Sequence, residues 1–439
     1  MRRLVILALL LGGMQLVLVA GPDVSRGGAL LSFGFLILAA YSVGELAKQL
    51  RLPKIVGYLA AGAVFGPDAL NVVPESSVEQ LGSIGNLAIA LIAFLAGAEL
   101  EWAELRKRGI GLLKVTGTEL GVTFLVVALA LVLMRRYVPF LADTNWTVTL
   151  TFIALFTSMV IVHSPAVTMA LLTETGARGP VARTTLGVVL MADVAVVLLF
   201  SLALAAARAL VPSGTAGVGS FSATAWEIGG SIPVGAVLGA VVALYLRFVR
   251  GELFLFAILV TLFGAEIARL LHVETLLTLI VAGFLAETMA PGGMGRALRQ
   301  AMERSAAPIF VVFFALAGAA LELGELARLW PLVLPIVLAR MAGLWLGSRL
   351  GAKWGGLAPV ERNSLWLGLV SQAGVAIGLV TVAGQVYPAA GGDMGNLMLA
   401  VIAVNTPLGA VLFRRSLVRA GEVGTDEPPA PAAAPAPAA

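Results

Sequence analysis

The sequence contains no cysteine and only two histidines, His163 and His272. Without thiols there is no disulfide, no thiolate nucleophile and no thiolate-held zinc or iron–sulfur centre, and two imidazoles are too few for a histidine-rich metal site. Charge is scarce as well. Asp, Glu, Lys and Arg make up 12% of the 439 residues, against about 25% in an average soluble domain. Neither GxGxxG nor a glycine-rich loop ending in GKS or GKT occurs, which leaves nucleotide-driven pumping without support. What fills the chain instead is apolar: 59% of it is hydrophobic and the mean hydropathy is +0.98. No soluble core could absorb so many long apolar runs, so the chain reads as an all-α polytopic membrane protein.

Thirteen apolar segments follow one another between about residue 28 and residue 413. They divide the chain into an N-terminal stretch (1–24), a membrane domain (25–416) and a Pro/Ala-rich tail (417–439) with almost no large apolar residue, expected to be disordered and cytoplasmic. The first stretch, with Arg2 and Arg3 before an apolar run, fits a signal peptide or an extra helix equally well. If the segment beginning near Gly28 starts outside, twenty of the 29 basic residues fall in inside connections, among them Arg106, Lys107, Arg108 and Arg414, and five in outside ones. This bias predicts a cytoplasmic C-terminus and a cell inner or plasma membrane location. Basic residues so distributed mark topology and call for no nucleic acid partner.

The sixth segment, within Gly179–Phe200, carries one acid, Asp193. A rise of about 1.5 Å per residue places it roughly 18 Å into a hydrocarbon core of about 30 Å. An Asp at a helix centre costs about 2.5 to 3.5 kcal/mol on insertion scales, so it needs a partner, an ion or water. The fifth segment collects Thr157, Ser158, His163, Ser164 and Pro165 in one span. Proline removes a backbone donor and disturbs the preceding turn, freeing carbonyls that can coordinate a cation beside hydroxyl oxygens. A kinked packing helix whose hydroxyls bond their own backbone carries the same residues. In the twelfth, LVSQAGVAIGLVTV, Ser371, Gln372 and Gly374 interrupt an apolar run. Arg340 lies about 15 Å into the eleventh segment and needs a carboxylate or carbonyl partner. Glu119 is the other deep acid, a partner for Arg340 or a step in a proton path. His163 suits either pH sensing or neutral packing.

Four strings flank the Asp193 segment in a recognisable order: LPKIVGYLAAGAVFGP (Leu52–Pro67), LIAFLAGAELE (Leu91–Glu101), SPAVTMALLTETGARG (Ser164–Gly179) and APIFVVFFALAGAALEL (Ala307–Leu323). Together they resemble the monovalent cation:proton antiporter superfamily, specifically its second family, which includes Kef-type potassium efflux systems and related sodium/proton antiporters. The resemblance covers roughly Ser32 to Arg415. It implies two inverted repeats with two crossing broken helices, the fifth and twelfth segments, and a homodimer. It also implies a secondary transporter with no enzymatic step and no cofactor, which exchanges Na+ or K+ for protons. On that likeness Asp193 binds ion or proton, Thr157, Ser158 and Ser164 supply neutral oxygens, and Arg340 faces the carboxylate. Many relatives place a polar residue before the aspartate, where this chain has Ala192. That departure argues for one proton per cation, and it supports a second reading, a non-transporting membrane sensor or partner protein on the same scaffold; a third is a sodium-coupled organic-anion symporter using Arg340.

Overall fold

In hydrocarbon, backbone N–H and C=O groups have no water to bond, so long apolar runs fold as helices that satisfy themselves. The computed structural model describes residues 12, 28–100, 102–142, 144–211, 221–248, 252–372, 376, 379–380, 383–384 and 387–423. Among the described residues the helices are α1 (Gly28–Gln49), α2 (Lys54–Phe65), α3 (Glu75–Glu99), α4 (Trp102–Met134), α5 (Trp146–Val160), α6 (Pro165–Thr175) and α7 (Pro180–Leu210). They continue with α8 (Phe221–Phe248), α9 (Leu253–Leu270), α10 (Thr275–Met289), α11 (Met294–Ala319), α12 (Leu323–Trp354), α13 (Pro359–Gly368) and α14 (Pro388–Arg419).

Among the described residues, eight spans are long and apolar enough to cross a membrane, or ten if two bent pairs each count as one. Among these same residues, the thirteen expected segments do not all form full-length spans. α2 and α10 are short apolar helices, and the helix of the twelfth segment is interrupted after Gly368, at residues 369–372. α11 bends by 51° at 304–306, where Pro308 disturbs the turn before it, and α3 bends by 42° beside Gly82. The N-terminal stretch, residue 12 apart, and Gly374 lie outside the described residues. The tail begins later than its composition suggests. α14 runs to Arg419, and the Glu422 carboxylate accepts from Val181 N at 2.7 Å and Ala182 N at 2.8 Å, capping the helix that carries Asp193.

Packing depends on small residues, as expected where apolar lipid gives helices no hydrophobic reason to associate. α12 presents Gly343, Gly347, Gly351 and Gly355, one per turn. A methyl added at each would meet, in turn, Thr123, Glu119, Val115 and Gly111 of the antiparallel α4. α2 and α11 touch in the same way, Gly62 against Ala315 and Gly318 against Leu59. Two large hydrophobic clusters result, one centred on α1–α3, α10 and α11, the other on α4, α5, α7, α12 and α14. Their boundary crosses α7 between Leu190 and Ala192, next to Asp193.

Candidate functional site

The break between α5 and α6 follows from its own residues. Pro165 cannot donate to the preceding turn and takes the first helical position of α6, while the Ser164 side chain accepts from Val167 N at 3.1 Å as the N-cap. Residues 161–164 are left outside both helices; the Ser164 carbonyl accepts from Thr168 N of α6 at 3.1 Å, and those before it lie beyond the helical ladder. The second interruption, residues 369–372, does the same after α13.

Arg340 joins the two breaks. Its Nε donates to Val160 O at 2.8 Å, its Nη2 to Val162 O at 2.8 Å and Leu369 O at 3.1 Å, and its Nη1 to Val370 O. The side chain is fully buried. Both α5 and α13 aim their C-terminal, partially negative ends at the guanidinium, whose flat fork of five donors suits several carbonyls at once. Gln372 adds a bond to Val160 O and accepts from Asn405 Nδ2 at 2.7 Å; the Thr406 hydroxyl donates to Gln372 O. The expected facing of Arg340 toward the carboxylate is therefore replaced by a grip on the crossing. Carbonyls freed by two helix breaks outnumber any nearby carboxylate oxygens.

Glu119 pairs with a different group than Arg340. Its Oε2 lies 3.1 Å from His163 Nε2 and its Oε1 accepts from Thr123 Oγ1 at 2.9 Å, while His163 Nδ1 is 2.9 Å from Leu369 O. Nδ1 is also 3.4 Å from Arg340 Nη2, so the imidazole sits between the guanidinium, the Leu369 carbonyl and the Glu119 carboxylate.

Asp193 stands apart from this network. It is 7% exposed, and neither carboxylate oxygen has a hydrogen-bond partner among the described residues. It faces a cavity of about 30 Å³ with His163, Ser164 and Pro165 on one side and Ile89, Ile280 and Phe313 on the other. That is room for a water molecule or a bare ion. The N-terminus of α6 opens onto the same space, and its partial positive charge favours an anionic carboxylate there. Thr157 Oγ1 and Ser371 Oγ are also buried without a partner, whereas Ser158 donates to Leu155 O at 2.6 Å. Ala192 is fully buried in apolar packing. Asn405 and Thr406 escaped sequence reasoning; a polar pair before Pro407 inside an apolar span was the available signal.

The model of the sodium/hydrogen exchanger transmembrane family matches residues 34–417. The chain belongs to that family. Within the family it is similar to the Na+/H+ antiporter NhaS5 of Synechocystis, 24% identical over 82% of this chain and 50% of that one. It also resembles the iron transporter MagA of Paramagnetospirillum magneticum, 29% identical over 41% of this chain and 39% of that one. The chain thus matches half or less of the length of these two relatives. The sodium/proton antiporter MjNhaP1 of Methanocaldococcus jannaschii, solved at pH 8, has the same fold: TM-score 0.68 at 16% identity, over 90% of this chain and 99% of that one. Exchanger family membership accounts for the order of the sequence motifs.

Proposed function

We propose that this chain exchanges a monovalent cation, Na+ or K+, for protons by alternating access, with Asp193 as the group for which the two compete. The observation that carries this reading is the Asp193 carboxylate: buried, with both oxygens unpartnered, facing a cavity of ion size. A carboxylate left bare in such a place costs several kcal/mol, and either a proton or a cation relieves that cost. One negative charge matches one monovalent charge. Ser164, which lines the cavity, and Thr157, with the Ile161 and His163 carbonyls of the break, are the neutral oxygens offered to the ion; Ser158 is a further one. The cation is cargo, no cofactor is needed and no covalent step is involved.

The working unit is a homodimer in the cell inner or plasma membrane, with the C-terminus cytoplasmic as the loop charges direct. Cross-linking in membranes tests the dimer, and a reporter fused after Arg419 tests the side. An organic-anion symporter has lost support, because the Arg340 donors are occupied by four carbonyls. Reconstitution in liposomes containing a pH dye tests the exchange itself. Pulses of sodium, potassium or lithium should move protons in the wild type and not in Asp193→Asn. Cation binding without flux in the wild type points to a sensor instead, and full exchange in Asp193→Asn removes Asp193 from the mechanism.

A further inference from the structure

A second, larger cavity adjoins the one that holds Asp193. It encloses about 340 Å³ between α2, α3, α11 and α14. Asn86 and Thr406 are the polar side chains among the residues lining it, and the Thr406 hydroxyl is already bonded to the carbonyls of Gln372 and Ile402. Two residues face both spaces: Ile89 of α3 and Phe313 of α11. One turn further along α3, Ala93 lines the smaller space only. Phe313 is 7% exposed, and its ring lies 4.7 Å from that of Phe314, which braces it.

Neither water nor a hydrated cation finds a substitute for its hydration shell between an isoleucine and a phenylalanine, and apolar constrictions of this kind close by dewetting. We propose that Ile89 and Phe313 are the gate through which ions reach Asp193, and that the larger cavity is the vestibule in front of it. The proposal rests on Asp193 being the exchange carboxylate, but it concerns access and not exchange. Both gate residues stand beyond a helix bend, at 82–84 in α3 and at 304–306 in α11. A small swing of either segment about its bend parts the two side chains.

The absence of cysteine makes access directly measurable, since one introduced thiol has no background. Ala60→Cys places a thiol on the larger cavity and Ala93→Cys one on the Asp193 cavity, and both leave Asp193 intact. A charged, membrane-impermeant methanethiosulfonate is applied to intact cells and, separately, to inverted vesicles. The Ala60→Cys thiol should react from one face and the Ala93→Cys thiol about tenfold more slowly from that face. Adding Ile89→Ala or Phe313→Ala to Ala93→Cys should raise its rate about tenfold, equivalent to about 1.4 kcal/mol of barrier. Leu399→Ala, at a residue that lines the vestibule and not the Asp193 cavity, should not. Phe313→Leu, a milder change, should give a smaller rise in the same direction.

The gate is refuted by an Ala60→Cys thiol inert from both faces, by an Ala93→Cys thiol as reactive as Ala60→Cys, or by truncations without effect. Acceleration from both faces alike marks unfolding and counts against it too. Failure of every cation to move protons overturns the exchange reading while leaving the labelling contrast to stand or fall alone.

Discussion

Arg340 holds four buried carbonyls from two helix breaks with one side chain. Replacing it with methionine leaves those acceptors dry, at about 1 to 3 kcal/mol for each that finds no other donor. Arg340→Met should therefore abolish folded protein or lower its melting temperature sharply in detergent. Arg340→Lys, with three donors on a point charge, should recover only part of the loss. Glu119 gives a finer contrast. In Glu119→Gln the amide oxygen still accepts from Thr123 and the amide nitrogen can donate to His163, whereas Glu119→Ala strands both partners. Thermal unfolding should place the glutamine variant within about 1 kcal/mol of wild type and the alanine variant about 2 kcal/mol below it. Equal losses would mean that the contact carries no proton-dependent fit.

At the scale of elements, two joints set where Asp193 stands. The glycine stripe of α12 lets α4 approach until their backbones touch, which brings Glu119 within reach of His163. Gly347→Leu would force a side chain against the Glu119 backbone and should destabilise by about 1 to 3 kcal/mol, read as a lower melting temperature. The same change at Gly324, where an added methyl meets nothing, should be tolerated better. The second joint is the Glu422 cap on α7. Glu422→Ala leaves Val181 N and Ala182 N without that acceptor, at about 0.5 to 2 kcal/mol. Hydrogen exchange at these amides should accelerate while that of mid-helix amides stays unchanged.

For the whole molecule, the two large hydrophobic clusters that meet beside Asp193 suit the proposed alternating access, in which one unit moves against the other. Ala192 is fully buried in apolar packing, and Asp193 is the one acid among the described residues that line the small cavity. On the proposed exchange, one carboxylate carries one proton or one monovalent cation, which predicts electroneutral turnover. The rate of sodium-driven proton movement in liposomes should not change when the membrane potential is clamped at different values. A rate that follows the potential would require a second proton carrier in the cycle.

Composition and periodicity alone determined that the chain is a helical membrane protein, because long apolar runs in lipid have one common solution. They also marked Asp193, Arg340 and Glu119, since an ionisable side chain in an oily run is legible wherever it stands. The break at Pro165 was legible for a local reason: proline and its serine cap act within a turn. Which groups meet across the bundle was decided only by the tertiary structure. Arg340 and Val160 are separated by 180 residues, His163 and Leu369 by 206. Their pairing depends on how closely the glycine stripe lets α4 and α12 approach, a distance that no single segment encodes. Ile89 and Phe313 carry no signal in the sequence at all, because an apolar residue that gates a site is spelled like one that fills a core.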